Sequence, residues 1–114
     1  ALVVGTEIDP LTSPCLAENY HLNDLGKPKS ILAGLEAFNN KASFAVIFAN
    51  MIRSEIWPLR PEILRLLKPQ GRLLISGQLA TEKQPIYQWF TEMGLKVIAE
   101  FEDGEWWAVC GERT

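Results

Sequence analysis

Three polar side chains of this sequence lie at positions where an α/β protein would be expected to bind a ligand. Glu7, with Asp9 close behind it, ends an apolar and β-branched run, and Asn50 ends the most apolar run, residues 44–49. Open α/β sheets bind their ligands at the carboxyl ends of the strands. A carboxylate at such a strand end can accept hydrogen bonds from both hydroxyls of a ribose, and Asn50 would present a polar amide to a ligand.

Structural roles explain the same residues. Asp9-Pro10 has the composition of a helix start, since Asp is a good N-cap and Pro is favoured at the first helical position. Asp9 would then only cap its helix, and Glu7 would be a solvated strand end. Asn50 would be a turn residue that tolerates unusual backbone angles. The residue types alone leave both explanations open.

The other side chains that could take part in binding or catalysis are expected at the surface or in the core. His21 is a lone imidazole on a polar helix face. Trp89 fits an apolar helical stripe, so it is expected in the core although its ring could stack on a base. Trp106 and Trp107 alternate along a strand, so one of them should be partly exposed. The sequence has no Gly-rich phosphate loop and no G-x-S-x-G nucleophile elbow.

Composition excludes several classes of function. The 114 residues suffice for one domain, and 47% are hydrophobic. Eleven basic and 14 acidic residues give a net charge of −3 without a basic run, so the cationic face of a nucleic-acid binder is missing. The longest apolar run is too short to cross a membrane. Cys15 and Cys110 lie far apart without a Cys/His cluster, which argues against a disulfide scaffold or a metal site and favours a reducing cytoplasm.

Hydrophobic periodicity predicts the element order β-α-β-β-α-β-α-β-β. The predicted strands are residues 2–7, 29–33, 44–49, 72–76, 95–101 and 105–110, and Asp103-Gly104 indicates a hairpin between the last two. Residues 44–49 are apolar on both faces and are therefore expected at the centre of a parallel sheet. Alternating strands and helices predict an α/β layered fold, mostly parallel, with an antiparallel end.

Three local signals refine this prediction. Pro58 and Pro61 should break the helix after residue 50 into a first turn and a main helix. Residues 68–71, Lys-Pro-Gln-Gly, have the composition of a turn. Thr81 with Gln84 three positions later predicts a capping box at the start of the next helix.

Several segments together resemble a class I S-adenosylmethionine-dependent methyltransferase. Residues 3–10, Val-Val-Gly-Thr-Glu-Ile-Asp-Pro, are similar to that family's second strand with its ribose-binding acid, and residues 18–23 to the helix that follows, with its paired asparagines. Residues 66–77 are similar to the family's late turn and strand. Ala49-Asn50-Met51-Ile52 resembles the Asn-Ile-Leu tetrad of ribosomal protein methyltransferases of the PrmA type, and residues 102–106 resemble their closing hairpin.

This resemblance implies a Rossmann-like fold, S-adenosylmethionine as cofactor, and methyl transfer to amino groups of the stalk-base protein of the large ribosomal subunit. Glu7 would bind the ribose, Ile8 would line the adenine side, and Gly34 and Leu35 would approach the base. Asn50 would lie by the methionine end of the cofactor and orient the incoming amine, which makes it the expected catalytic residue.

The resemblance also implies that residues 1–114 are part of a catalytic domain that begins at its second strand. The family's first strand and its Gly-rich loop have no counterpart in the sequence. In the family, that first strand lies between the strands that correspond to residues 2–7 and 44–49. Both strands would then have open edges, through which the chain is expected to self-associate or to pair with another segment.

Two other functions stay open at this point. A truncated, non-catalytic remnant that folds against a partner chain would show the same motifs, and the coding sequence upstream of Ala1 would separate it from an enzyme. A phosphorelay receiver has a similar length and layered build. It would need a phosphorylatable Asp at the tip of a central strand, where this sequence has Asn50.

Overall fold

The computed structural model describes residues 3–27, 29–41 and 43–114, with the exception of the Ile31 side chain. The chain divides into two units, residues 1–39 and residues 40–114, and each is described by itself. The element order within the described residues is the predicted β-α-β-β-α-β-α-β-β.

The first unit is a parallel strand pair connected by a helix. Strand β1 (Gly5–Thr6) pairs in parallel with β2 (Ser30–Ile31), and α1 (Ser13–Leu22) connects them. A 3-10 turn, Pro10–Thr12, precedes the helix. Both strands are shorter than predicted, and residue 2 of the first predicted strand lies outside the described residues.

The start of α1 follows the predicted cap. The Asp9 carboxylate accepts a hydrogen bond from the backbone N–H of Leu11 at 2.9 Å, and Pro10 opens the 3-10 turn. The helix ends at Asn23, and Gly26 then takes a left-handed φ of +73°. Asp9 therefore caps the 3-10 turn that leads into α1, whereas Thr12, the residue before α1 itself, makes no side-chain capping hydrogen bond.

The second unit is built on a four-stranded sheet. Its strands are β3 (Phe44–Asn50), β4 (Leu67–Leu79), β5 (Leu95–Asp103) and β6 (Trp106–Arg113), in the spatial order β3-β4-β6-β5. Strand β3 pairs with β4 in parallel, whereas β6 is antiparallel to both β4 and β5. The predicted hairpin is present, and Gly104, with φ +60°, takes the first of its two loop positions.

Strand β3 lies at an edge of this sheet instead of at its centre. Its one neighbour among the described residues is β4, so its other edge carries no strand there. Val46 and Phe48, which share one face of the strand, are 58% and 65% exposed. The central position expected from the apolar pattern is therefore not found in this sheet, whereas the open edge that the resemblance implied for this strand is present among the described residues.

Helices pack over the second sheet as the sequence pattern predicts. The segment after β3 is split into α2 (Arg53–Ile56), a 3-10 turn (Trp57–Leu59) and α3 (Arg60–Leu66), because Pro58 and Pro61 interrupt the backbone hydrogen bonds. The next helix, α4 (Lys83–Glu92), buries Ile86, Trp89 and Phe90. Phe90 packs directly on the backbone of β6, where a Cβ on Gly111 would lie 2.6 Å from the Phe90 ring.

Two local predictions are wrong. Residues 68–71 were expected to form a turn before the strand, but they lie inside β4. These four residues loop out opposite one residue of β3, and Gln70 adopts φ +63°. The capping contact at the start of α4 uses Glu82, which accepts from the backbone N–H of Leu79 at 3.3 Å, instead of Thr81 and Gln84. The reason is a 3-10 turn, Ala80–Glu82, which moves the start of the helical segment towards its N-terminus.

Candidate active site

Glu7 directly follows β1, and the backbone of the turn fixes its carboxylate. Its Oε1 accepts hydrogen bonds from the N–H of Ile8 at 2.9 Å and of Asp9 at 3.0 Å. Both bonds end on the same oxygen, and Oε2 takes no part in them. An exposed carboxylate with one anchored oxygen and one remaining oxygen suits hydroxyl donors such as those of a ribose.

Parallel pairing of β1 and β2 brings four predicted site residues to one edge of the first unit. Gly5 pairs with Ser30 and Thr6 with the residue after it, so both strands end at the same edge. Glu7 and Ile8 follow β1 there, and Gly34 and Leu35 follow β2. Ile8 is exposed, which leaves an apolar surface next to the Glu7 carboxylate.

Glu36 is a second carboxylate in this region, which the sequence analysis missed. Its Oε1 accepts a hydrogen bond from the Gly34 N–H at 3.2 Å. The carboxylate folds back so closely that a Cβ on Gly34 would lie 2.2 Å from Oε2. Position 34 therefore leaves no room for a side chain while Glu36 keeps this place. The sequence signal was a glycine two positions before an acid, after a weak strand.

Asn50 is the last residue of β3 and pairs with Ser76 of β4. The chain of β4 then reaches Gly77, which adopts φ +78°. The Asn50 side chain extends towards this glycine, and its Oδ1 would lie 2.9 Å from a Cβ at position 77. The amide of Asn50 is exposed at the carboxyl edge of the parallel pair β3–β4, which is the edge where ligands bind in open α/β sheets.

A groove of about 640 Å³ adjoins this edge. Its lining includes residues directly after Asn50, the end of β4 and the start of β6, namely Ile52, Arg53, Ser54, Gly77, Leu79 and Trp106. Trp106 is half exposed whereas Trp107 is buried, as the alternation of the two rings predicted. Arg53 and Glu82, both at the groove, form an ion pair with 3.8 Å between Nε and Oε1.

The remaining candidates from the sequence have no place at these two edges. His21 is exposed in the last turn of α1, and Trp89 is in the core, as expected. Within the described ranges, no group of three or more His, Cys, Asp and Glu residues could hold a metal ion. None of the helices in that part of the chain is both long and apolar enough to cross a membrane.

The chain has a Rossmann-like α/β fold, which it shares with solved proteins. Its structure is similar to that of a ribosomal protein L11 methylase from Lactobacillus delbrueckii subsp. bulgaricus, with a TM-score of 0.86, 22% identity, and coverage of 97% of this chain and 57% of that chain. It is also similar to the N-methyltransferase NodS from Bradyrhizobium japonicum WM9 in complex with S-adenosyl-L-homocysteine. That match has a TM-score of 0.70, 11% identity, and coverage of 96% and 65%. The expected Rossmann-like fold class is confirmed.

Sequence comparison then gives the family. The family described as ribosomal protein L11 methyltransferase (PrmA) matches residues 1–114. The ribosomal protein L11 methyltransferase of Pelobacter propionicus is 33% identical over 113 residues, which cover 98% of this chain and 36% of that protein. The corresponding protein of Thermoanaerobacter pseudethanolicus is 30% identical over 112 residues, covering 97% and 35%. The chain belongs to the PrmA family, and it spans about a third of the length of these relatives.

Proposed function

We propose that this chain contributes cofactor-binding and substrate-orienting residues to a methyltransferase that uses S-adenosylmethionine and modifies amino groups of ribosomal protein L11. Family membership supports the reaction, and the names of the relatives support the substrate. The proposal treats residues 1–114 as part of a catalytic domain, in line with the share of the relatives that they match.

The observation that carries the proposal is the Glu7 carboxylate. A side chain that only ended a strand in solvent would need no fixed orientation, yet two backbone N–H groups hold its Oε1. This arrangement leaves Oε2 for the hydroxyls of the cofactor's ribose, at a charge-assisted hydrogen-bond distance. Ile8, exposed beside it, offers an apolar surface for the adenine. The residues present therefore fit the cofactor.

When bound, S-adenosylmethionine supplies a methyl group on a positively charged sulfur, which is a good leaving group. Asn50 would orient the incoming amine by accepting a hydrogen bond from one of its N–H groups through Oδ1, which leaves the nitrogen lone pair free to attack. The proton that the methylated amine then loses would pass to solvent. The amine must be neutral, because a protonated amine has no lone pair for the attack. Positioning and exclusion of water thus supply most of the rate enhancement, and no general base is assigned.

The compartment follows from the substrate. A ribosomal protein is made and assembled where ribosomes are made, so we propose the cytoplasm as the compartment of the enzyme. Cys15 and Cys110 are both free thiols, which agrees with a reducing compartment. The sequence has a net charge of −3 and no basic run, so we propose recognition of the protein itself and not of ribosomal RNA.

Calorimetry and a transfer assay test the proposal. The complete gene product is titrated with S-adenosylmethionine and then incubated with a radiolabelled methyl donor and purified L11 from the same organism. We expect binding, together with label on L11. L11 whose amino groups have been acetylated is the control and should stay unlabelled. Binding without label on L11 would overturn the substrate, and absence of binding would overturn the proposal as a whole.

A further inference from the structure

Gln78 places a polar amide in the interior of the second unit. Its exposed fraction is 0%, as low as that of apolar core residues of the same strand such as Leu73 and Ile75, and it pairs with the buried Trp107 of β6. Buried side-chain amides in proteins are normally hydrogen-bonded, because burial of an unpaired amide lowers the stability of the fold.

A bulge in β4 brings Gln78 to this place. Ile75 pairs with Val109 and Gln78 with Trp107, so β4 has one residue more than β6 over this stretch. Gly77 sits inside the bulge with φ +78°, a left-handed conformation that glycine adopts at bulges. The extra residue changes the direction in which the side chains of β4 point. Gly77 and Leu79 line the groove beside Asn50, whereas Gln78 is buried.

Gln78 holds the residue that follows Asn50. Its Nε2 donates a hydrogen bond to the backbone carbonyl of Met51. The N–H of Met51 donates to the carbonyl of Ser76 at 3.2 Å. Both polar backbone groups of Met51 are thus bound to β4, one on each side of the bulge. This fixes the backbone directly after Asn50.

The second amide atom of Gln78 shows that stability alone does not explain the residue. Its Oε1 is buried and has no hydrogen-bond partner among the described residues. An unpaired buried carbonyl oxygen destabilises a fold, so an apolar side chain of similar size would pack here at lower cost. Polar groups retained at such a cost are found at functional sites.

We propose that Gln78 is a positioning residue for the methyl-transfer reaction. By binding the Met51 carbonyl it fixes the backbone on which Asn50 sits, and thereby the direction of the Asn50 amide towards the substrate amine. The inference rests on the proposed function, since the reaction gives this positioning its role. Gln78 touches neither cofactor nor substrate and acts only through Met51 and Asn50.

Gln78→Met tests the inference in the complete gene product. Methionine has nearly the same length but no N–H donor, so the core stays filled while the bond to Met51 is lost. We expect kcat for L11 methylation to fall about 10- to 100-fold, with an unchanged Kd for S-adenosylmethionine. The melting temperature should stay close to that of the wild type, because removal of the unpaired Oε1 offsets the loss of the hydrogen bond to Met51. Gln84→Met, on the exposed surface of α4, is the matched control and should keep the wild-type kcat.

A normal kcat in Gln78→Met would overturn the positioning role. An equal loss of kcat and cofactor affinity, with a lowered melting temperature, would also overturn it, because it would show a merely structural residue. If Gln78→Met does not fold, Gln78→Leu repeats the comparison.

Nuclear magnetic resonance on the wild type separates this result from failure of the proposed function. The bond to Met51 predicts slow solvent exchange of a Gln78 side-chain amide proton, whether or not L11 is the substrate. Slow exchange in a protein that does not methylate L11 would support the hydrogen bond between Gln78 and Met51 and would overturn only the proposed reaction. Rapid exchange would contradict the hydrogen bond between Gln78 and Met51.

Discussion

Asn50 and Gly77 approach each other so closely that neither position is independent of the other. Asn50 Oδ1 occupies the space 2.9 Å from where a Cβ at position 77 would be, and the Met51 carbonyl oxygen is 3.3 Å from the same point. The left-handed φ of Gly77 further disfavours any side chain there. The place of the candidate catalytic amide thus depends on a glycine 27 positions later in the chain.

Gly77→Ala should therefore destabilise the fold and move Asn50. Gly104→Ala is the matched control, since Gly104 also has a positive φ but nothing within 4 Å of its virtual Cβ. Both variants pay about 1–2 kcal/mol for a left-handed alanine. We expect Gly77→Ala to lose at least about 1 kcal/mol more in denaturant unfolding, because it also overpacks its surroundings. Equal losses would show that Asn50 moves aside freely.

Glu7→Gln should weaken binding of S-adenosylmethionine by the complete gene product. The amide keeps one acceptor oxygen but loses the negative charge, and hydrogen bonds to a charged group contribute about 1.5–3 kcal/mol each. We expect a Kd at least about 10-fold higher in calorimetry. Glu18→Gln, on the exposed face of α1, is the control for the change of net charge. An unchanged Kd in Glu7→Gln would remove Glu7 from the ribose site.

Asn50→Ala should reduce kcat far more than cofactor affinity, because an interaction made mainly in the transition state affects turnover most. Transfer of label to L11 gives kcat, and calorimetry gives the Kd of the cofactor. Asn40→Ala, at an exposed position before β3, should leave both values unchanged. Normal turnover in Asn50→Ala would assign Asn50 to a turn role only.

The two cysteines should differ sharply in reactivity. Burial raises the pKa of the Cys110 thiol, although the nearby Arg72 guanidinium opposes this effect. The thiolate is the reactive form, so a raised pKa keeps Cys110 protonated and unreactive at pH 8, while Cys15 is exposed. Titration with a thiol reagent at pH 8 should therefore modify Cys15 rapidly and Cys110 only after denaturation. Rapid modification of both thiols in the native protein would contradict the burial of β6.

The open edge of β3 should make residues 1–114 self-associate when they are expressed alone. Val46 and Phe48 are exposed on a strand whose second edge carries no strand among the described residues. Light scattering should show species larger than a monomer, and Phe48→Lys should shift them towards the monomer. Lysine at Leu22, which is exposed on α1 and not on a strand edge, is the control. A wild-type monomer would mean that the chain covers this edge itself.

Much of the fold could be predicted from the sequence because its signals are local. The Asp9 cap, the break at Pro58 and Pro61, and the alternation of Trp106 and Trp107 depend on neighbouring residues only. The edge position of β3 was not predictable from its own residues, because its apolar pattern reflects full burial that this chain alone does not provide. The six apolar residues 44–49 have the same pattern whether or not a second strand lies beside them.

The candidate site was predictable in its residue types but not in its connections. Glu7 and Asn50 were identified from their positions after apolar strands. Gln78 was missed because its role requires the bulge at Gly77 and a contact with Met51, 27 residues earlier in the chain. Glu36 was missed because its carboxylate turns back to Gly34. Such contacts follow from backbone direction, which composition and periodicity do not record.

The strand order β3-β4-β6-β5 has a consequence for synthesis of the protein on the ribosome. Strand β6 leaves the ribosome after β5 and yet inserts between β4 and β5. Until β6 has emerged, the facing edges of β4 and β5 have no strand to pair with, and Trp107 and Val109 are missing from the core. The nascent chain therefore has two strands with unpaired backbone edges, which can bind other chains, until β6 is in place. A nascent chain whose β5 has emerged from the ribosome while β6 is still inside it would present a segment that chaperones must shield.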